Sequence, residues 1–192
     1  MFALIGLGNP GAEYATTRHN IGFMVLDAVG GALRVRFKQQ PGEYAMAEGT
    51  FGGDVVLLIK PLTYMNNSGV AVADVLQRFT LEQPKILVIA DDFHLPLGRL
   101  RIRLRGSDGG HNGLRSISYH LQTSEFARLR CGIGSEGMPV EKHDMAEYVL
   151  APFDERELDT VRKLIQRARD AALETIAAGF ESAMQQYNRN TI

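Results

Sequence analysis

Of the five histidines in this 192-residue chain, His19 has the setting best suited to proton transfer. It follows Gly6-Leu7-Gly8-Asn9-Pro10-Gly11 and stands between Arg18 and Asn20, where an apolar run gives way to apolar residues at helical spacing. Imidazole is the side chain whose charge changes near neutral pH. A second imidazole, His111, stands between Gly109-Gly110 and Asn112. Asp91 follows the apolar run Ile86–Ala90. A carboxylate at the end of a buried strand needs a partner, because an unpaired buried charge costs several kcal/mol, and a histidine N–H is a natural one. Such a pair fixes the ring tautomer and raises its basicity, and the far nitrogen is left to take a proton from water. Asn9, Asn66 and Asn112 add amides. There is no Gly-x-Ser-x-Gly elbow. The one cysteine, Cys131, lies in a strand pattern and reads as core. Neither His-Glu-x-x-His nor paired cysteines occur, so the chain is expected to use no metal and no cofactor. Imidazole, carboxylate and amides without a nucleophile point to hydrolysis by activated water. His120 and His143 read as structural or surface residues.

Arginines form the second group. Arg99, Arg101, Arg103 and Arg105 alternate with Leu100, Ile102 and Leu104, so a strand over 99–105 puts the arginines on one face and the apolar residues on the core face. One or two charges suffice to guard a sheet edge. Four arginines in register, with Arg128 and Arg130 on a later strand, better suit phosphate recognition. Residues 99–130 hold seven basic residues against Asp108 and Glu125, whereas from Glu141 onward acidic residues outnumber basic ones ten to seven. With a net charge of −1, this is a local anion footprint on a near-neutral protein.

These residues need a frame. The length fits a single domain over 1–192, and 45% apolar with 22% charged residues is ordinary for a globular chain. No apolar run is long enough to span a membrane, and no secretory signal precedes the first strand; a cytoplasmic protein is expected. Phe2–Ile5, Val55–Ile59 and Ile86–Ala90 read as buried strands, with Asp91-Asp92 closing the third. Arg34–Lys38, Tyr44–Phe51 and Arg128–Ile133 read as further strands. Helices are expected after His19, from the Asn66–Gly69 loop to Phe79, from His111 to Leu121, and from the Asp154-x-x-Glu157 capping signal to Ile176. Strands alternating with helices predict an α/β fold: a twisted, mixed and mostly parallel sheet flanked by helices, ending in a long helix. Ligands bind such sheets outside the carboxyl ends of the strands, where His19, Asp91, His111 and the three asparagines converge. Gly6-x-Gly8-x-x-Gly11 also matches the dinucleotide fingerprint. However, Pro10 and a turn-rich loop delay the helix, and the acidic residue expected about 20 positions on is missing.

The chain resembles the bacterial-type peptidyl-tRNA hydrolases over nearly its whole length. The motifs are Gly-Leu-Gly-Asn-Pro-Gly at 6–11, Thr-Arg-His-Asn-Ile-Gly-Phe at 17–23 and Lys-Pro-x-Thr-Tyr-Met-Asn-x-Ser-Gly at 60–69. Asp91-Asp92 with Leu-Pro-Leu-Gly at 95–98, Gly-Gly-His-Asn-Gly at 109–113, Arg-x-Gly-Ile-Gly at 130–134, and Tyr148-Val149-Leu150 with Pro152-Phe153 complete the set. The resemblance implies a monomeric, metal-free enzyme that cleaves the ester between a peptide and the 3′-terminal ribose of tRNA, with no protein partner and no membrane. It assigns His19 as the base and Asp91 as its orienting partner. It places Asn9, Met65, Asn66 and Asn112 around the peptide and ester, and Tyr14 and His111 are expected to bind substrate with them. Asn9, Asn66 and Asn112 remain alternative donors to the oxyanion. Basic residues near the site hold the tRNA 5′ phosphate, the role expected of Arg101, Arg103 and Arg130. By analogy a mobile segment covers the cleft near 144–148. Two positions depart from the family pattern: His94 stands where an acid is common, and Ser107-Asp108 replaces a glycine-rich run.

Overall fold

Apolar runs without alternation suit strands covered on both faces, and they take the centre of the sheet. The computed structural model describes residues 1–80, 85–139, 141 and 144–189. Strands β1 (Phe2–Gly6), β4 (Asp54–Pro61), β5 (Ile86–Pro96) and β7 (Ala127–Gly134) lie parallel in the order β4-β1-β5-β7. Antiparallel strands extend both sides: β3 (Tyr44–Phe51) and then β2 (Lys38–Gln40) beyond β4, and β6 (Leu100–Arg103) beyond β7. The seven-stranded sheet is therefore mixed, with its parallel pairings at the centre.

Alternation along β1 sends Phe2 and Leu4 to one face and Ala3 and Ile5 to the other. Helices α1 (Ile21–Leu33), α5 (Leu158–Ala177) and α6 (Gly179–Tyr187) cover the first face, and α2 (Ser68–Phe79) with α3 (Asn112–Leu121) covers the second. Each fully buried Leu or Ile at these interfaces contributes roughly 1.5–3 kcal/mol. The long α5 has 20 residues, and its entry carries the expected capping box: Asp154 accepts from the backbone at 157 while the Glu157 side chain takes the Asp154 N–H.

The glycines at the start serve packing. A Cβ on Gly6 would lie 2.4 Å from the carbonyl oxygen of Gly22, and one on Gly22 would lie 2.5 Å from backbone atoms of Leu7 and Ile89. Two facing glycines thus let the first turn of α1 rest on the end of β1 and on Ile89 within β5. Between β1 and α1 the chain makes two short 3-10 turns, Ala12–Tyr14 and Arg18–Asn20. No α-helix opens directly on the glycine turn, as dinucleotide binding would require.

Several boundaries differ from expectation. Asp91 and Asp92 lie within β5, which runs on to Pro96. Residues 34–37 are not strand: Gly30-Gly31 stays within α1, and Arg34 (φ 57) caps that helix in the left-handed conformation. The arginine strand stops at Arg103, and Leu104, expected on the core face, is exposed. A short helix, α4 (Met145–Leu150), had no marked periodicity to announce it. His143, expected to be structural or surface, lies outside the described residues.

Candidate active site

The carboxyl ends of β1 and β4 lie beside the middle of β5, where Asp91 stands. It is buried and accepts on one oxygen, Oδ1, from two imidazoles: His19 Nδ1 at 2.7 Å and His111 Nε2 at 2.9 Å. Burial alone would raise the Asp91 pKa, but the charges and N–H groups of the two rings outweigh it and hold the carboxyl far below its ordinary range. Burial likewise works to lower the His19 pKa. The Asp91 charge and hydrogen bond win, and the His19 pKa is raised above its ordinary value. Since Nδ1 faces Asp91, the tautomer that donates there leaves Nε2 as the basic atom.

His111, expected to bind substrate, turns both ring nitrogens to the protein. Its Nδ1 accepts the Leu114 N–H at 3.2 Å, which caps α3, so the ring proton sits on Nε2 and goes to Asp91. Both nitrogens are thus engaged within the protein. The ring fixes Asp91 and lies 4.9 Å from the His19 ring, centroid to centroid.

His19 opens onto a cleft of about 260 Å³. Asn9, Asn66 and Asn112 line its polar side, and Tyr64, Met65, Ala146, Val149 and Leu150 its more apolar side. Asn9 is locked from both ends. Its peptide N–H and C=O bond to the Asn20 side chain, each at 2.9 Å, and its Oδ1 accepts the Met65 N–H at 2.8 Å. The Asn9 side chain therefore has its NH2 group left to offer. Tyr64, just before Met65, has φ 61, a costly conformation for a side-chain-bearing residue. Tyr14, by contrast, is half-buried in the first 3-10 turn and is not among the residues lining the cleft. The aromatic ring at the cleft belongs to Tyr64, which stands inside the quoted motif at 60–69 but was not singled out.

Two residues missed from sequence hold this arrangement together. Asn20 is the clamp on Asn9. Arg18 is buried and ties the His19 turn to the chain after α4: it donates to the carbonyls of Ala151 and Pro152, pairs with Glu157 at 2.7 Å, and stacks over the Tyr148 ring at 4.5 Å. A basic residue beside a histidine gives no local sign of partners 130 or more positions away.

The arginines divide. Arg101 is register partner to Arg130, and Arg103 to Arg128, so β6 and β7 present all four on one face. Arg130 Nε lies 2.8 Å from Asp92 Oδ2 as an ion pair, and the terminal nitrogens of its fork lie beyond that contact. Arg128 is not part of an anion site: it is buried, donating to the carbonyls of Gly106, Ser107, Ser124 and Phe126. Arg105 lies past the strand and pairs with Glu125. The two unusual positions also find local roles. Asp108 accepts the Gly110 N–H at 2.7 Å and approaches Arg115 at 3.6 Å, stabilising its own loop. His94 is exposed, its N–H bonded to Asp92 and its ring against Phe93.

His19, Asp91 and His111 also bring candidate metal-ligand atoms within 4.8 Å of one another. Here both imidazole nitrogens address a single carboxylate oxygen as N–H donors, so a cation would have to displace those protons. Residues 3–192 match the family described as peptidyl-tRNA hydrolase. The chain belongs to that family. It is 42% identical to the peptidyl-tRNA hydrolase of Aquifex aeolicus over 98% of this chain and 97% of that protein. The corresponding figure for the peptidyl-tRNA hydrolase of Kosmotoga olearia is 45%, over 98% and 97%. A crystal structure of peptidyl-tRNA hydrolase from Acinetobacter baumannii superposes with a TM-score of 0.92 at 33% identity, covering all of this chain and 96% of that one. The His19–Asp91 pair of this peptidyl-tRNA hydrolase family member thus sits in a fold shared along its whole length.

Proposed function

We propose that the chain hydrolyses the ester joining a peptide to the 3′-terminal ribose of tRNA, with water activated by His19. The observation that carries this reading is the 2.7 Å bond from His19 Nδ1 to buried Asp91, on a ring that lines the cleft. Nε2 takes a proton from water as the oxygen attacks the ester carbonyl. Asp91 stabilises the imidazolium that forms. The carbon–oxygen bond to the ribose then breaks, and the proton on Nε2 passes to the leaving ribose oxygen. The products are a free peptide and a tRNA with its hydroxyl restored. The NH2 groups of Asn9, Asn66 and Asn112 hold the acyl group and face the developing oxyanion. His111 is a positioning residue acting through Asp91. Arg101, Arg103 and Arg130 grip a terminal phosphate by forked hydrogen bonds.

Substrate selectivity follows from the same amides. They suit the N–H and C=O of a peptide bond, whereas a free α-ammonium meets N–H donors and must be desolvated at a cost. No helix among the described residues is long and apolar enough to cross a membrane, and we place the enzyme in the cytoplasm, acting without a protein partner. Incubation with N-acetyl-aminoacyl-tRNA and with the unblocked aminoacyl-tRNA tests the reading. Rapid release of the blocked acyl group alone supports it; equal cleavage of both would remove the selectivity, and cleavage of neither would remove the function.

A further inference from the structure

A second groove, open to solvent and about 540 Å³ in volume, adjoins the catalytic cleft and shares Asn66 and Asn112 with it. Its far wall is the solvent face of α3. Tyr119 there is 70% exposed, the most exposed large hydrophobic side chain among the described residues. The His120 ring meets it edge-on at 5.3 Å and bonds through Nδ1 to the Ser116 carbonyl at 2.9 Å, which fixes that ring beside it. Arg115 lies one helical turn before Tyr119 on the same side of α3 and also lines the groove.

Resting on the proposed substrate, we infer that this groove receives an unpaired nucleobase from the 3′ single strand of the tRNA, stacked on Tyr119, with Arg115 on an adjoining phosphate. The two sides of the site differ in chemistry. The wall of the catalytic cleft built from Met65, Val149 and Leu150 is apolar and suits peptide side chains. The second groove offers an aromatic face, amides and a guanidinium, the combination that binds single-stranded nucleic acid without sequence preference. Its cation also continues a line from the phosphate side. A Cβ on Gly109 would lie 2.8 Å from a terminal nitrogen of Arg130, and in the same loop Asp108 approaches Arg115. A phosphate at Arg115 takes the place of the Asp108 carboxylate, and Asn66 and Asn112, which line both grooves, join the Tyr119 groove to the cleft at His19.

The test compares Tyr119→Ala and Tyr119→Phe on N-acetyl-aminoacyl-tRNA and on an N-acetyl-aminoacyl ester of a simple alcohol, which carries no base. Tyr119→Ala should raise KM for the tRNA substrate by about 5- to 150-fold, the loss of one base–aromatic stack, with kcat within about twofold. Tyr119→Phe should restore it, and the base-free ester should be cleaved equally by all three proteins. The chain has no tryptophan, so Tyr119→Trp supplies a single fluorophore, whose emission a short single-stranded RNA should quench. An unchanged KM for Tyr119→Ala, a loss that tracks the length of the acyl peptide, or a fluorophore blind to RNA would overturn the assignment. If the wild type cleaved no tRNA ester, the hydrolase reading would fail, and quenching by RNA would still decide the groove.

Discussion

Replacing Asp91 with Asn removes one negative charge from beneath the catalytic imidazole while keeping nearly the same volume. In the native site Oδ1 accepts from His19 at 2.7 Å and from His111 at 2.9 Å. An asparagine that keeps its oxygen there preserves both bonds without their charge; one that turns its NH2 inward faces two N–H donors and forces His19 toward the wrong tautomer. Charges about 4 Å apart at an effective dielectric of about 20 interact by roughly 4 kcal/mol. That attraction is realised as imidazolium forms in the transition state, so its loss should slow kcat by about 10²–10³-fold, at 1.36 kcal/mol per factor of ten. The pH profile gives a second reading. His19 must be neutral to act as base, and Asp91 holds its pKa above the ordinary value against burial. The wild-type acidic limb should therefore lie above about pH 6.5. Without the charge, burial alone remains and lowers the pKa, so the variant's limb should move to more acid pH and its plateau should be lower. Measuring kcat from pH 5 to 9 for both proteins checks this. An unmoved limb with an unchanged plateau would reduce Asp91 to a structural residue and refute the reasoning.

Arg101→Ala with Arg103→Ala should raise KM for peptidyl-tRNA with little change in kcat and should flatten the salt dependence of tRNA binding; parallel salt curves at equal KM would make the stripe a charged edge only. Arg128→Ala should instead act on stability. It strips donors from four backbone carbonyls and should cost about 2–4 kcal/mol in urea unfolding, and an unchanged midpoint would contradict that role. EDTA should leave activity intact, because His19 Nδ1 and His111 Nε2 direct their protons to Asp91 and the trio offers a cation no converging set of free nitrogens; loss restored by a divalent ion would reverse this view of the trio.

The strands and the two faces of the core were legible because apolar runs and alternation are local patterns. Asp91 was legible as a carboxylate in need of a partner, yet its place within β5 was not. Two aspartates look like the end of a strand until His19, His111 and Arg130 arrive from elsewhere to satisfy them. Period-2 alternation groups Arg99, Arg101, Arg103 and Arg105 and leaves Arg128 and Arg130 to a later strand, but it carries no information on which guanidinium the 106–107 and 124–126 carbonyls surround. Arg18, Asn20 and Tyr64 were visible inside motifs but not as separate actors, since their partners or their backbone geometry are set by tertiary contacts. His111 was legible as an imidazole at the start of a helix, and only the helix amide behind it reveals that its ring has no nitrogen to spare.

Single-turnover hydrolysis by His19→Ala, with tRNA affinity measured on the same preparation, bears most directly on the claim that this imidazole activates water. Removing a general base should slow the chemical step by about 10²–10⁴-fold while the dissociation constant for tRNA stays within about twofold. A variant retaining more than half of the wild-type rate would contradict it.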